Sequence, residues 1–269
     1  MEQLGGLDAL FLSCETPTMH MHVCGLLILD TATMSPGDPF DRITAMLEAR
    51  LPGIAPMRHR LSTVPLNLGR PYWTDDPDLR VDRHLRRIVL EPPGDDRQLA
   101  ELAGEFCSTQ LQRDRPLWEM LLVEGLPDQR VALLVKMHHA TIDGITGTNL
   151  MGQLFDLSPE GATGEPKDAA APLGPPNPFE LLGRTFLDRL RAPADVVKLV
   201  PETIGRIGGA VWRAARGGSS ERIAVPFTAP RTSFNASVSG RRSVAFVDVS
   251  LEEVKAVKQA VGATVNDVL

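Results

Sequence analysis

A chain of 269 residues can bury a substantial core, as one large domain or two small ones. With 43% hydrophobic and 23% charged residues it has the composition of an ordinary globular protein, and a net charge of -6 excludes the basic field that a nucleic-acid partner needs. Three cysteines, Cys14, Cys24 and Cys107, have no paired spacing, and an odd number argues against a secreted disulfide framework. The opening MEQLGGLDALFLSCETP lacks the basic start and sustained apolar core of a signal peptide. No apolar run approaches the ~20 residues of a membrane-spanning helix. The expectation is a cytoplasmic protein that touches a membrane or lipid droplet, if at all, from outside.

Residues 23–29 (VCGLLIL) predict a buried strand, and 38–50 a short helix with Phe40, Ile43 and Leu47 on one face. The stretch 51–94 is rich in Pro, Arg and Asp, with an extended piece at 87–91. Asp95 and Asp96 open a helix whose Leu99, Leu102 and Phe106 recur three and four residues apart. Two strands follow, 119–124 (EMLLVE) and 131–137 (VALLVKM). The LPDQ between them predicts a hairpin turn and an antiparallel pair. Next comes HHATIDG, then a helix from about 145 to 155.

Composition breaks at Ser158. The segment 158–178 holds six prolines and almost nothing to bury, which predicts a linker or exposed loop. Helical periodicity returns over 183–216, where seven Lys/Arg stand against three Asp/Glu. Its apolar stripe suits packing on the rest of the protein or lying on a lipid surface. A strand is expected at 243–249 and a helix at 251–261, with Ser250 and Glu253 as its capping box and Gly262 as its stop. Thr264 and Asp267 then read as the cap of a further helix, so the sequence is expected to be a truncated or split chain that packs against a second segment. The organisation expected is a lobe at 1–157, a Pro-rich linker at 158–182, a helical crossover at 183–242 and the start of a second lobe at 243–269.

The chemistry concentrates at His138-His139-Ala140-Thr141-Ile142-Asp143-Gly144. Adjacent histidines at a strand end point to opposite faces, so one is free to face a cavity while the other packs behind it. A neutral imidazole, with an unperturbed pKa near ~6.5, suits removal of a proton from an alcohol. Asp143 lies in the turn leaving the strand, and Gly144 allows a tight backbone path. Taken alone, the motif is equally readable as packed or surface histidines. A metal site is not expected, since His-His adjacency lacks zinc-ligand spacing and no Cys or Glu cluster accompanies it.

HHATIDG resembles the HHxxxDG motif of the CoA-dependent acyltransferases, a superfamily that includes the condensation domains of peptide synthetases. The flanking segments are similar to one branch, the wax ester synthase/diacylglycerol acyltransferases: GGLDALFLSCETPTMHMHV near the start, RPYWTDDPDLRVDRHLRR at 70–87, Pro116-Leu117-Trp118 at that family's PLW motif, and Asn266-Asp267 at its ND-containing motif. The likeness runs from about residue 4 to the end. It implies an α/β fold, a chloramphenicol-acetyltransferase-like lobe with a mixed sheet flanked by helices, as the first of two lobes with a tunnel between them. It implies His139 as general base for transfer of a fatty acyl group from acyl-CoA to the hydroxyl of diacylglycerol or a long-chain alcohol. His138 is then accessory, and Asp143 holds the loop through an ion pair. Gly144, Pro116, Leu117, Trp118, Asn266 and Asp267 are the implied substrate-binding residues: Pro116-Leu117-Trp118 shapes the lobe interface and acyl channel, with core packing its more direct role, and Asn266 orients the substrate or the oxyanion by hydrogen bonding. Acyl-CoA is a co-substrate and no permanent cofactor is implied; the partners are the two substrates and the missing second lobe. Arg241 and Arg242 are either a contact for CoA phosphates or a solvated pair. Competing readings are a condensation-type or polyketide-associated acyltransferase, and a non-catalytic lipid-binding half-domain.

Overall fold

The computed structural model describes residues 1–32, 34, 36–65, 68–142, 150, 152–155, 177, 180, 181, 183, 232, 233 and 235–268. Its centre is a four-stranded mixed sheet in the order β2-β7-β6-β5, comprising β2 (His22–Asp30), β7 (Arg130–His138), β6 (Trp118–Glu124) and β5 (Leu85–Val89). β6 and β7 form the antiparallel pair expected around the LPDQ turn, and β2 pairs antiparallel with the far side of β7. β5 runs parallel to β6, and the chain between them crosses the sheet as helix α4 (Asp96–Cys107). A second, three-stranded antiparallel sheet joins β1 (Glu2–Gln3), β4 (Tyr72–Asp75) and β3 (His59–Ser62), the last entered from the one-turn helix α3 (Ala55–Arg58), beside helix α1 (Gly6–Cys14).

Both faces of the main sheet are covered, which is why β7 reads as an almost unbroken apolar run. Helix α2 (Pro39–Arg50) lays Ile43 and Leu47 on one face, against Trp118, Met120, Leu122, Leu133, Val135 and Met137. Leu150 and Leu154 are buried in that same layer. On the other face, α4 packs Leu99, Ala103 and Phe106 against Leu121, Val123, Ala132 and Leu134. Each helix starts where the sequence caps it. Asp38 accepts from the Phe40 N–H ahead of Pro39, while Asp95 and Gln98 form a reciprocal capping box.

The edge position of β2 corrects one expectation. The run 23–29 is half-exposed instead of buried, with Val23 and Ile28 facing solvent, because β7 flanks it on one side only. The expected strand at 243–249 is an extended segment without ladder pairing among the described residues. It is laid on α4 instead: the Arg242 N–H donates to Ser108 Oγ at 2.7 Å, and Val244 packs on the α4 layer. Gly104 permits this approach, since a Cβ there would meet the Arg242 carbonyl oxygen at 2.6 Å. Helix α5 (Leu251–Val261) is present, but Ser250 Oγ accepts from Glu252 instead of closing a box with Glu253. Gly262 stops it in the left-handed conformation, at φ 66°. Thr264 and Asp267 cap α6 (Val265–Val268) reciprocally. The Pro-rich segment and the basic helical segment fall almost wholly outside the described residues, as does most of the helix expected over 145–155.

One polar group sits in the α4 layer where hydrocarbon would be expected. The Lys136 side chain is fully buried, and its ammonium donates to Phe106 O (3.1 Å), Thr109 O (3.0 Å) and Thr109 Oγ1 (2.9 Å). Glu119 Oε2 lies 3.2 Å away. Lys136→Ala leaves those acceptors and the Glu119 carboxylate unmatched, so the loss expected is about 3–5 kcal/mol. Urea unfolding of Lys136→Ala, Glu119→Gln and the double variant checks this, with the double variant losing less than the two single losses added. A single-variant loss below about 1 kcal/mol would show that α4 is held without the ammonium.

Candidate active site

The two histidines end β7 on opposite sides, as the two-residue period of a strand requires. His138 lies on the α4 side and is 1% exposed. Its backbone N–H donates to Leu117 O at 3.0 Å, and its Nδ1 accepts from the Ala140 N–H at 3.0 Å. Nδ1 being an acceptor, the single proton of the neutral ring sits on Nε2, which points toward Glu15 Oε2 at 3.8 Å. Thr141 returns to the His138 carbonyl through both its N–H and its hydroxyl. The backbone and Nδ1 of His138 thus serve the turn, while Nε2 is buried without a hydrogen-bond partner, facing the Glu15 carboxylate.

His139 is half-buried on the opposite side, with its ring stacked on Phe11 of α1 at 4.8 Å between centroids and 19° between planes. Its backbone N–H donates to Met21 O at 2.9 Å. Met21 supplies that carbonyl from left-handed backbone at φ 47°, an uncommon state for a residue with a side chain. Helix α1 is apolar on both sides: Leu12 faces inward, while Leu7 and Leu10 are 61% and 55% exposed beside Phe11. A cleft of about 270 Å3 opens by Ala140, Thr141 and Ile142 and reaches Trp73, His59 and Asp8. A larger hollow of about 570 Å3 lies on the other side of the molecule, between α4 and 241–244, away from His139.

Residues distant in sequence fix this geometry. The Glu15 carboxylate, just past α1, takes both Nε and Nη2 of Arg113, and Nη2 also donates to Leu12 O at 3.1 Å. That clasp holds α1, and with it Phe11, to the segment between α4 and β6. Sequence reasoning missed Glu15, Arg113 and Met21; the one available signal was a Glu and an Arg with no helical partner three or four residues away.

The other expected site residues divide. Leu117 and Trp118 are each 1% exposed and pack, with Trp118 Nε1 donating to Met57 O at 2.9 Å and its ring stacked on His84. Pro116 is buried beside them. Asn266 is exposed on α6, and the Asp267 carboxylate is engaged by Thr264. Asp143 and Gly144 lie outside the described residues. Arg242 is a clasp, its guanidinium donating to Thr18 O, Ser239 O and Arg241 O. No group of three or more potential metal ligands occurs among the described residues.

The chain is thus an α/β lobe whose central strand runs into a histidine pair split between a buried and a half-open side, and that pair opens an HHxxxDG sequence. The model of the wax ester synthase/diacylglycerol acyltransferase catalytic domain matches residues 4–269, and the chain belongs to that family. A Mycobacterium tuberculosis protein provisionally named a diacylglycerol O-acyltransferase is 37% identical over 270 residues, covering 100% of this chain and 53% of its own length. Another from the same organism is 34% identical over 269 residues, covering 100% of this chain and 56% of its own. The solved wax ester synthase/diacylglycerol acyltransferase of Marinobacter aquaeolei VT8 superposes with a TM-score of 0.63 at 26% identity, over 98% of this chain and 57% of that one. The chain spans about half the length of the curated relatives it matches.

Burial lowers the His138 pKa from 6.5 to about 4, with the nearby Arg113 charge adding to the effect. Burial likewise brings His22 to about 4, reinforced by Lys136. In each case the unfolded chain takes a proton that the folded one refuses. Their contribution to stability is therefore whole above pH 6.5, drains as pH falls toward 4, and stays lost below that. For the fully buried His138 this is at most about 3 kcal/mol. Unfolding free energy measured from pH 7 to pH 4 is expected to decline across that window, and to decline less steeply in His138→Gln. An unchanged slope in the variant would mean that His138 is protonated in the folded protein.

Proposed function

We propose that this chain carries the general base of an acyl-CoA-dependent O-acyltransferase, which moves a fatty acyl group to the hydroxyl of diacylglycerol or of a long-chain alcohol. The observation that carries the proposal is the division of labour at the end of β7: His138 is sealed, with Nδ1 held by the Ala140 N–H and Nε2 facing Glu15, while His139 is half-open beside the apolar flank of α1. His139 takes the acceptor's hydroxyl proton as that oxygen attacks the thioester carbonyl. The tetrahedral intermediate then collapses, and the imidazolium returns the proton to the departing CoA thiolate. No acyl-enzyme is required. Leu7, Leu10 and Phe11 offer an apolar wall on which an acyl or alkyl chain can lie.

The remaining roles follow the family motif. Asp143 holds the loop and Gly144 gives it room, while Asn266 orients substrate from a second lobe packed beside α5 and α6. The half-length match supports that second lobe, as do the exposed Val249, Leu251, Val257 and Val261 around α5. Among the described residues no helix is long and apolar enough to cross a membrane, and we place the enzyme in the cytoplasm, meeting its lipid at a membrane or droplet surface. A condensation-type transfer from a carrier protein is not favoured, because the family match is to the acyl-CoA branch over nearly the whole chain.

The test is transfer of radiolabelled acyl groups from acyl-CoA by the full-length protein, with diacylglycerol and hexadecanol as alternative acceptors. His139→Ala is expected to lose on the order of 10²–10⁴ in turnover with its circular dichroism unchanged. His138→Gln should lose less, through loop placement. Near-wild-type turnover in His139→Ala would remove the histidine from the role of base.

A further inference from the structure

Two cysteines 83 positions apart meet on the α4 side of the sheet. β2 places Cys24 directly opposite Lys136 of β7, and residues opposite each other in a ladder project to the same face. Cys107 is the last residue of α4, and that helix end is pinned over the same spot. Lys136 Nζ holds the carbonyls of Phe106 and Thr109 on either side of Cys107, and His22 Nε2 donates to the Cys107 carbonyl at 3.0 Å. The two side chains are thereby brought to one spot, and both are half-exposed, so a small oxidant can reach them. Neither takes part in the proposed acyl transfer.

We infer that Cys24 and Cys107 form a redox modification site, a dithiol that closes to a disulfide when a peroxide reaches it. Cys107 is the attacking sulfur. The Cys24 thiol beside it brings its pKa down to about 7, and the Lys136 and Arg242 charges favour the thiolate further. Cys24 is pushed up, first by its Cys107 neighbour and then by burial, so it holds its proton until the second step. The Cys107 thiolate attacks one peroxide oxygen, the O–O bond breaks, and a sulfenic acid forms as the leaving hydroxide takes up a proton to become water. Cys24 sulfur then attacks Cys107 Sγ. The S–O bond breaks, the thiol proton leaves with the hydroxyl as a second water, and the disulfide links β2 to α4. Two thiols and one hydrogen peroxide thus give one disulfide and two waters. The pairing was illegible in the sequence because it depends on a strand register and a helix end, and Cys14 on α1 makes the count odd.

The full-length protein, treated with hydrogen peroxide, blocked with iodoacetamide and digested without reductant, is expected to yield one linked peptide pair. That pair joins Cys24 to Cys107 and is released by dithiothreitol, while Cys14 is recovered alkylated. In Cys24→Ser the second step is blocked, so dimedone should trap the sulfenic acid on Cys107, as it does not in the parent protein. Recovery of Cys24 and Cys107 both alkylated after oxidation overturns the inference, as does a link through Cys14 or a Cys107 sulfinate beside an alkylated Cys24.

Discussion

The layer between the sheet and α4 depends on a single buried charge. A helix that ends inside a protein leaves its last carbonyls without intrahelical partners, and buried carbonyls must be met by something. Here the Lys136 ammonium meets the Phe106 carbonyl at the end of α4 and the Thr109 carbonyl and hydroxyl just beyond, with Glu119 balancing the charge. It also stands over the Phe106 ring at 4.5 Å. The same cation helps to keep His22 neutral, and a neutral His22 keeps its Nε2 proton directed at Cys107 O. Helix end, edge strand and central strand are thereby fastened around one fixed point.

The histidine pair inherits its arrangement from that fastening and from a second one across the loop. Where β7 ends is settled by the pairing of His22 with His138 and by the bond from His138 N–H to Leu117 O. Where α1 lies is settled by the Glu15–Arg113 clasp, which brings the Phe11 ring onto His139. Phe11 thus restrains the His139 ring without occupying its nitrogens, which suits the proton acceptor proposed for it. The left-handed turn at Met21 is the local cost of aiming a carbonyl at the His139 N–H.

Elements defined by local chemistry were legible in the sequence, and those defined by distant partners were not. The caps at Asp95 and Thr264, the stop at Gly262 and the hairpin of β6 and β7 depend on residues a few positions apart. The opposed faces of His138 and His139 follow from strand periodicity alone, so that part of the site was readable as well. By contrast, VCGLLIL carries enough apolar residues for a central strand and is an edge only because β7 pairs with β6 on its other side. SVAFVDV has strand composition, yet Arg242 and Val244 bind it to α4. β1 is two residues long and exists through its register with Tyr72 and Trp73, which no window of sequence contains. The Glu15–Arg113 clasp escaped notice for the same reason: its members are 98 positions apart.

Strand β7 is also two surfaces sharing one backbone. Ala132, Leu134, Lys136 and His138 build the layer under α4, while Val131, Leu133, Val135 and Met137 build the layer under α2, with His139 next in line on that side. Exchanges along one set leave the other set's neighbours untouched, so the structural half of the strand and the half that leads to His139 are free to diverge at different rates. A one-residue insertion has the opposite effect. It would turn Lys136 toward the α2 layer and exchange the two histidines, ending the support and the proposed chemistry together.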